Sequence, residues 1–162
     1  MKLKIVIVLV VLVLALLSCG SIQITPEQKR YFKKDTDGVA IGAVRVFKNL
    51  KLTEPADQER QDYIANFWRQ ALQNELEKKG VKIISVPTEN TLTVETEIGE
   101  KYNLLSLRTG GRMKYRVTFR KGKEVGKMEI IFSISKILGQ SFLEKMMKNL
   151  AIAFAVDIKK LL

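Results

Sequence analysis

Histidine is absent from this chain, and cysteine occurs once. The first absence removes the usual general base at neutral pH and the commonest metal ligand. The second excludes an internal disulfide and any CxxC metal or redox site. Proline is scarce at three residues, and ten glycines are scattered, so no long low-complexity linker is written into the chain. No run matches a P-loop or a GxGxxG turn. Acidic residues are also in deficit, 17 against 28 basic ones, which gives a net charge of +11. What remains is 162 residues, 46% hydrophobic and 28% charged, a composition that suits one globular domain and a leader.

The leader is legible at the start. Lys2 and Lys4 supply a short positive region, and Ile5 to Leu17 is an uncharged apolar run ending at the small residue Ser18. That order is the layout of a bacterial export signal. A spanning helix needs roughly 20 apolar residues, and this run has thirteen. The stretch Leu16-Leu17-Ser18-Cys19 resembles the lipobox of bacterial lipoproteins. The resemblance implies cleavage after residue 18, a diacylglycerol thioether on Cys19, and acylation (palmitate or a similar chain) of the new amino group. Two or more acyl chains anchor a protein stably where one does not. Loss of Lys2 and Lys4 leaves 26 cations against 17 acids, a mature charge of +9. Gly20 follows the cysteine, where an aspartate retains lipoproteins in the inner membrane of well-studied two-membrane bacteria. The implied address is the cell envelope, lipid-anchored and periplasm-facing, with the outer membrane favoured over the inner.

Residues 19–38 read as a lipidated tether. The stretch is polar, with a basic cluster of Lys29, Arg30, Lys33 and Lys34 around Tyr31 and Phe32. A solvated linker and a contact with anionic head groups beside the anchor are both open for it. Residues 39–162 read as a single α+β domain. "VAIGAVRVF", Val39 to Phe47, is apolar on both sides and predicts a central strand. Ala56 to Lys79 has helical periodicity, with Ile64, Phe67, Trp68, Ala71, Leu72 and Leu76 on one stripe. Pro55 suits its first turn and Gly80 its C-terminal cap. A short strand is expected at Lys82 to Val86, and a strictly alternating one at Thr91 to Ile98. From Met113, the alternation of apolar with basic residues predicts a hairpin turning within Lys121 to Gly126. The last helix is expected from Phe142 to about Leu161, with Ser141 and Glu144 as a capping box. Its core stripe is Leu143, Met147, Leu150, Phe154, Ile158 and Leu161. Ile152 and Val156 fall off that stripe; they either pack on the first helix or contact a partner.

The expected order is β-α-β-β-β-β-α, a two-layer α+β sandwich with a mainly antiparallel sheet and two helices on one face. No catalytic residues, metal ligands or cofactor are indicated. "RTGGRMK", residues 108 to 114, could seat a phosphate but reads better as a hairpin-entry turn. On the exposed sheet face, Glu95 and Glu97 would meet Lys114, Arg116 and Arg120 across the ladder. The functional alternative makes Lys114, Arg116 and Arg120 contacts for an anionic lipid or glycolipid. An export signal argues against nucleic acid as the partner of the net positive charge.

"VAIGAVRVFKNL", with Phe47 and Asn49 in a Phe-x-Asn turn, resembles the first strand of small envelope lipoproteins of the lipopolysaccharide-assembly (LptE-like) and uncharacterised helix-on-sheet kinds. The following amphipathic helix and the C-terminal helix fit the same order of elements. The resemblance implies a helix-on-sheet architecture. The expected role is a non-enzymatic scaffold or accessory subunit of an envelope assembly or transport machine, with a protein partner in the envelope.

Overall fold

A computed structural model describes residues 21–102, 110–135 and 140–162. The expected leader, Cys19, and Arg108 and Thr109 of the glycine-pair turn lie outside the described residues. The elements are β1 (Ser21–Gln23), α1 (Pro26–Lys33), β2 (Gly38–Phe47), α2 (Gln58–Lys78), β3 (Thr91–Tyr102), β4 (Gly110–Lys121), β5 (Glu124–Ser135) and α3 (Gln140–Lys160). The described fold is α+β: a mixed five-stranded sheet in the order β1-β5-β4-β3-β2, with three helices rather than the expected two. Among the described strand pairs, β2–β3 is parallel and the others are antiparallel. The β4–β5 hairpin turns through Gly122 and Lys123 alone, because Lys121 pairs with Glu124, which is tighter than the sequence suggested.

The core forms where alternation and helical periodicity meet. Leu92, Val94 and Ile98 of β3 and Met113, Tyr115, Val117 and Phe119 of β4 are buried on one sheet face. The stripe of α2 meets them through Trp68, whose ring centroid lies 4.9 Å from that of Tyr115 and 5.7 Å from that of Phe154 on α3. Trp68 donates its indole N–H to Thr96 Oγ1 at 3.0 Å, so the polar edge of a fully buried ring is satisfied. Trp68 is therefore a core residue.

Three expectations about the elements need correction. The stretch from Ser21 is not a tether. Thr25-Pro26-Glu27-Gln28 forms a capping box with proline at the first helical position: Thr25 Oγ1 accepts from the Gln28 amide, and Gln28 Oε1 accepts from the Thr25 amide. Phe32 of α1 is 0% exposed and lies against Gly126, where any added Cβ would sit 3.0 Å from its ring. Ile24 is buried beside it. Lys82 to Val86 is not a strand but makes a single bridge, Val39 with Ile83. α2 starts at Gln58 behind an Asp57 N-cap, whereas Pro55 bridges Phe47 before the helix.

β2 is also an edge strand, not the central one its apolar character predicted. Its outer edge is closed by other means. Gln61 of α2 donates from Nε2 to the Val44 carbonyl at 2.8 Å and accepts from the Val46 amide at Oε1, 2.6 Å away. A side-chain amide thus takes the place of a peptide group from a neighbouring strand. Val39 is paired with Lys82 and Ile84, Val46 with Ala56, and a register irregularity between Ile41 and Val44 breaks the ladder. These are the devices that keep an edge from recruiting another chain.

Candidate functional site

The exposed sheet face carries the three cations singled out from sequence. Register places Glu97, Arg116 and Glu129 side by side on β3, β4 and β5. Arg116 bridges its neighbours, with Nε 2.5 Å from Glu129 Oε1 and Nη1 3.2 Å from Glu97 Oε2. Lys114 reaches Glu129 Oε2 at 3.1 Å, and Arg120 reaches Glu95 Oε2 at 3.0 Å. Burial alone would raise the Glu129 carboxyl, but hydrogen bonds from Arg116 and Lys114 outweigh it and hold the group below the ordinary carboxylate value. The same hydrogen bond to Glu129 raises Arg116. Lys114, Arg116 and Arg120 are thus brought together, but each is engaged with a carboxylate. The face is a cross-strand ion-pair ladder, and a free basic stripe for an anionic ligand is not what these side chains form. Such pairs contribute roughly 0.2–1 kcal/mol each.

A cleft of about 540 Å³ opens where the end of β2 meets the first turns of α2. Phe47, Lys48, Asp57, Arg60, Tyr63 and Glu100 are among its walls. Glu100, near the end of β3, is buried, and Arg60 grips it through Nε and Nη2 at 3.0–3.1 Å. A buried carboxylate needs such a partner to remain charged. Tyr63 donates its hydroxyl to Glu144 Oε1 of α3 at 2.7 Å. Glu144 therefore ties α2 to α3, and Ser141, its expected capping-box partner, falls inside the helix rather than at its cap. Within the cleft, the Arg60–Glu100 pair clamps α2 to β3. Among the described residues, no cluster of three or more acidic, cysteine or histidine side chains could hold a metal ion.

At the opposite end of the sheet Lys121 is 4% exposed. Its ammonium donates to the Tyr31 and Lys34 carbonyls and to Thr36 Oγ1, 2.6 Å away, and lies 5.6 Å from the Tyr31 ring centroid. Burial lowers its pKa from the ordinary lysine value, against the opposing pull of Asp35 and Asp37. A cation at the C-terminal carbonyls of α1 is favoured by the helix dipole, and it locks that helix to the hairpin. The expected turn position of Lys121 gives no hint of this role; the signal in the sequence is the Thr25 capping box, which announces a helix nearby.

Ile152 and Val156 on α3 are not buried in the core. They are 43% and 37% exposed, while Leu143, Met147, Phe154 and Ile158 of the same helix are buried. The exposed basic cluster of α1, Lys29, Arg30, Lys33 and Lys34, likewise faces outward.

No family model matches this chain, and no curated protein matches it either. Among solved structures, it is similar to a single-substitution variant of the PelC dodecamer from Paraburkholderia phytofirmans, with 13% identity and a TM-score of 0.46 over 83% of this chain and 95% of that one. At that level the likeness assigns neither activity nor assembly.

Proposed function

We propose that the chain is a lipid-anchored protein of the bacterial cell envelope, acylated at Cys19, facing the periplasm, and serving as a non-enzymatic accessory subunit of an assembly or transport machine. We read its domain as a two-layer sandwich with the helices on one sheet face. The observation that carries this reading is the Leu16-Leu17-Ser18-Cys19 sequence directly ahead of the folded body. The fold gives it a physical sense. β1 joins the sheet at Ser21, so only Gly20 separates the anchor residue from the domain. Two extended residues span about 7 Å. A lipid on Cys19 would therefore hold the sheet edge against the bilayer rather than trail the domain on a leash. The engagement of Lys114, Arg116 and Arg120 in ion pairs removes the observation that favoured an anionic-ligand module on that face.

The test is metabolic labelling with a clickable fatty acid. Wild type should carry label and migrate as the processed form, and Cys19→Ala should accumulate as an unlabelled precursor. Equal label on both would sink the anchor. Photocrosslinking in cells should then capture an envelope protein on the processed chain, and the absence of any adduct from probes around the body would sink the accessory role.

A further inference from the structure

Five large apolar side chains are exposed among the described residues: Tyr31, Val86, Ile131, Ile152 and Val156. Two of these, Ile152 and Val156, stand one helical turn apart on α3, with exposed Ala153 beside them. The rim of this strip is basic. Lys145, Lys148 and Lys159 are exposed on the same outward side of the helix. Lys148 holds its ammonium 5.8 Å from the centroid of the Phe67 ring, and Lys159 donates to the exposed Lys79 carbonyl, so both charges lie at the surface along the seam with α2. Asp157 is paired with Lys160 at 3.0 Å, which leaves the face with an excess of positive charge. Glu144 is turned inward to Tyr63.

A short aliphatic centre ringed by lysines is the composition of a helix that lies in a membrane interface. We propose that the outward face of α3 rests on an anionic phospholipid surface, with Ile152, Ala153 and Val156 entering the head-group boundary and Lys145, Lys148 and Lys159 meeting lipid phosphates. The charge complementarity favours lipid over a second copy of this chain, because two such faces would bring like charges together. It also favours α3 over α1. The basic residues of α1 surround no exposed aliphatic side chain, and Tyr31 is turned edge-on to Phe32 beneath Lys121. The inference rests on the envelope-anchored reading, since a domain held one residue from its lipid must lay some face on the bilayer.

The full chain, purified in detergent and reconstituted into vesicles, tests it. Val156→Cys and, on the opposite sheet face, Ile131→Cys each carry an environment-sensitive fluorophore. Quenching by lipids spin-labelled near the head group is read in phosphatidylcholine and in phosphatidylcholine–phosphatidylglycerol vesicles. The probe at position 156 should be quenched several-fold more than that at 131, and only with the anionic lipid. Lys145→Gln, Lys148→Gln and Lys159→Gln should each weaken that quenching response, by roughly fivefold in partition per charge lost. An aqueous probe at 156 in anionic vesicles overturns the proposal. So does a probe already shielded in detergent without lipid, which would mean that protein covers the strip. Mass spectrometry of Cys19 reports the anchor separately. An acylated Cys19 with an aqueous probe defeats this inference alone; an acyl-free Cys19 with quenching retained in a Cys19→Ser background supports it while defeating the anchor.

Discussion

Replacing Phe32 by alanine separates a folded N-terminal segment from a tether. Phe32 is 0% exposed and fills the space above Gly126, next to Ile24. Its truncation removes a whole ring from a closed site. Phe→Ala in a core costs about 3–5 kcal/mol when the surroundings cannot collapse. The loss has a ceiling, because α1 is a helix of eight residues held by this ring, by Gln28 donating to the Val125 carbonyl, and by Lys121. Once the penalty exceeds what those contacts supply, α1 opens locally and the rest of the domain stays folded. The expectation is therefore a drop at the low end of that range, accompanied by loss of protection in α1. Each kcal/mol moves Tm by roughly 2–4 °C in a protein near this size, so Phe32→Ala should melt about 6–12 °C lower. Thermal denaturation gives the shift, and hydrogen exchange at residues 26–34 shows whether α1 has released. Tyr31→Ala, one residue away but 43% exposed, is the internal comparison and should stay within about 0.5 kcal/mol of wild type. A Phe32→Ala protein that melts with wild type and exchanges no faster in α1 would refute the packing argument and return residues 21–38 to the status of a linker.

The ion-pair ladder gives a pH prediction. Glu129 titrates below its ordinary value of 4.5 in the folded chain, so its contribution is full at pH values above 4.5 and is lost as pH falls through the depressed value. In urea titrations, the stability gap between wild type and Glu129→Gln should be open at neutral pH and close in acid; a gap independent of pH would refute the linkage. Gln61→Leu removes the two side-chain hydrogen bonds on the β2 edge, leaving the Val44 carbonyl and Val46 amide without that partner. At about 1–3 kcal/mol for each buried group left unsatisfied, the variant should lose several kcal/mol in denaturant and self-associate by light scattering, and a monomer of unchanged stability would contradict the edge-cap role. Ile152→Asp combined with Val156→Asp should leave Tm within a few degrees, because both sites are exposed, whereas Phe154→Asp places a charge against Trp68 and should unfold the domain. Unfolding of the double variant would place those two residues in the core after all.

Elements whose burial follows a period are written in the amino-acid order alone. Val94, Ile98, Tyr115, Val117 and Phe119 fall on the inner face because side chains alternate along a strand. The stripes from Ile64 to Leu76 and from Leu143 to Leu161 are inward because they repeat at the helical spacing. The cross-strand charges on β3 and β4 were legible for the same reason, since alternation puts Glu95, Glu97, Arg116 and Arg120 on one face. Tertiary structure decided what depends on partners far away in the chain. Eight residues of α1 are too few to be stable alone, and the helix exists because Phe32 reaches Gly126 and Lys121 caps its carbonyls, contacts that span about ninety residues of sequence. The apolar composition of β2 suggested a central strand, but its position at the edge was set by parallel pairing with β3 and by one glutamine side chain standing in for the missing neighbour. The outward aspect of Ile152 and Val156 was a matter of helix rotation. The pattern showed that they lay off the core stripe, and only the packing of α3 against α2 and the sheet decided that they stay partly exposed among the described residues.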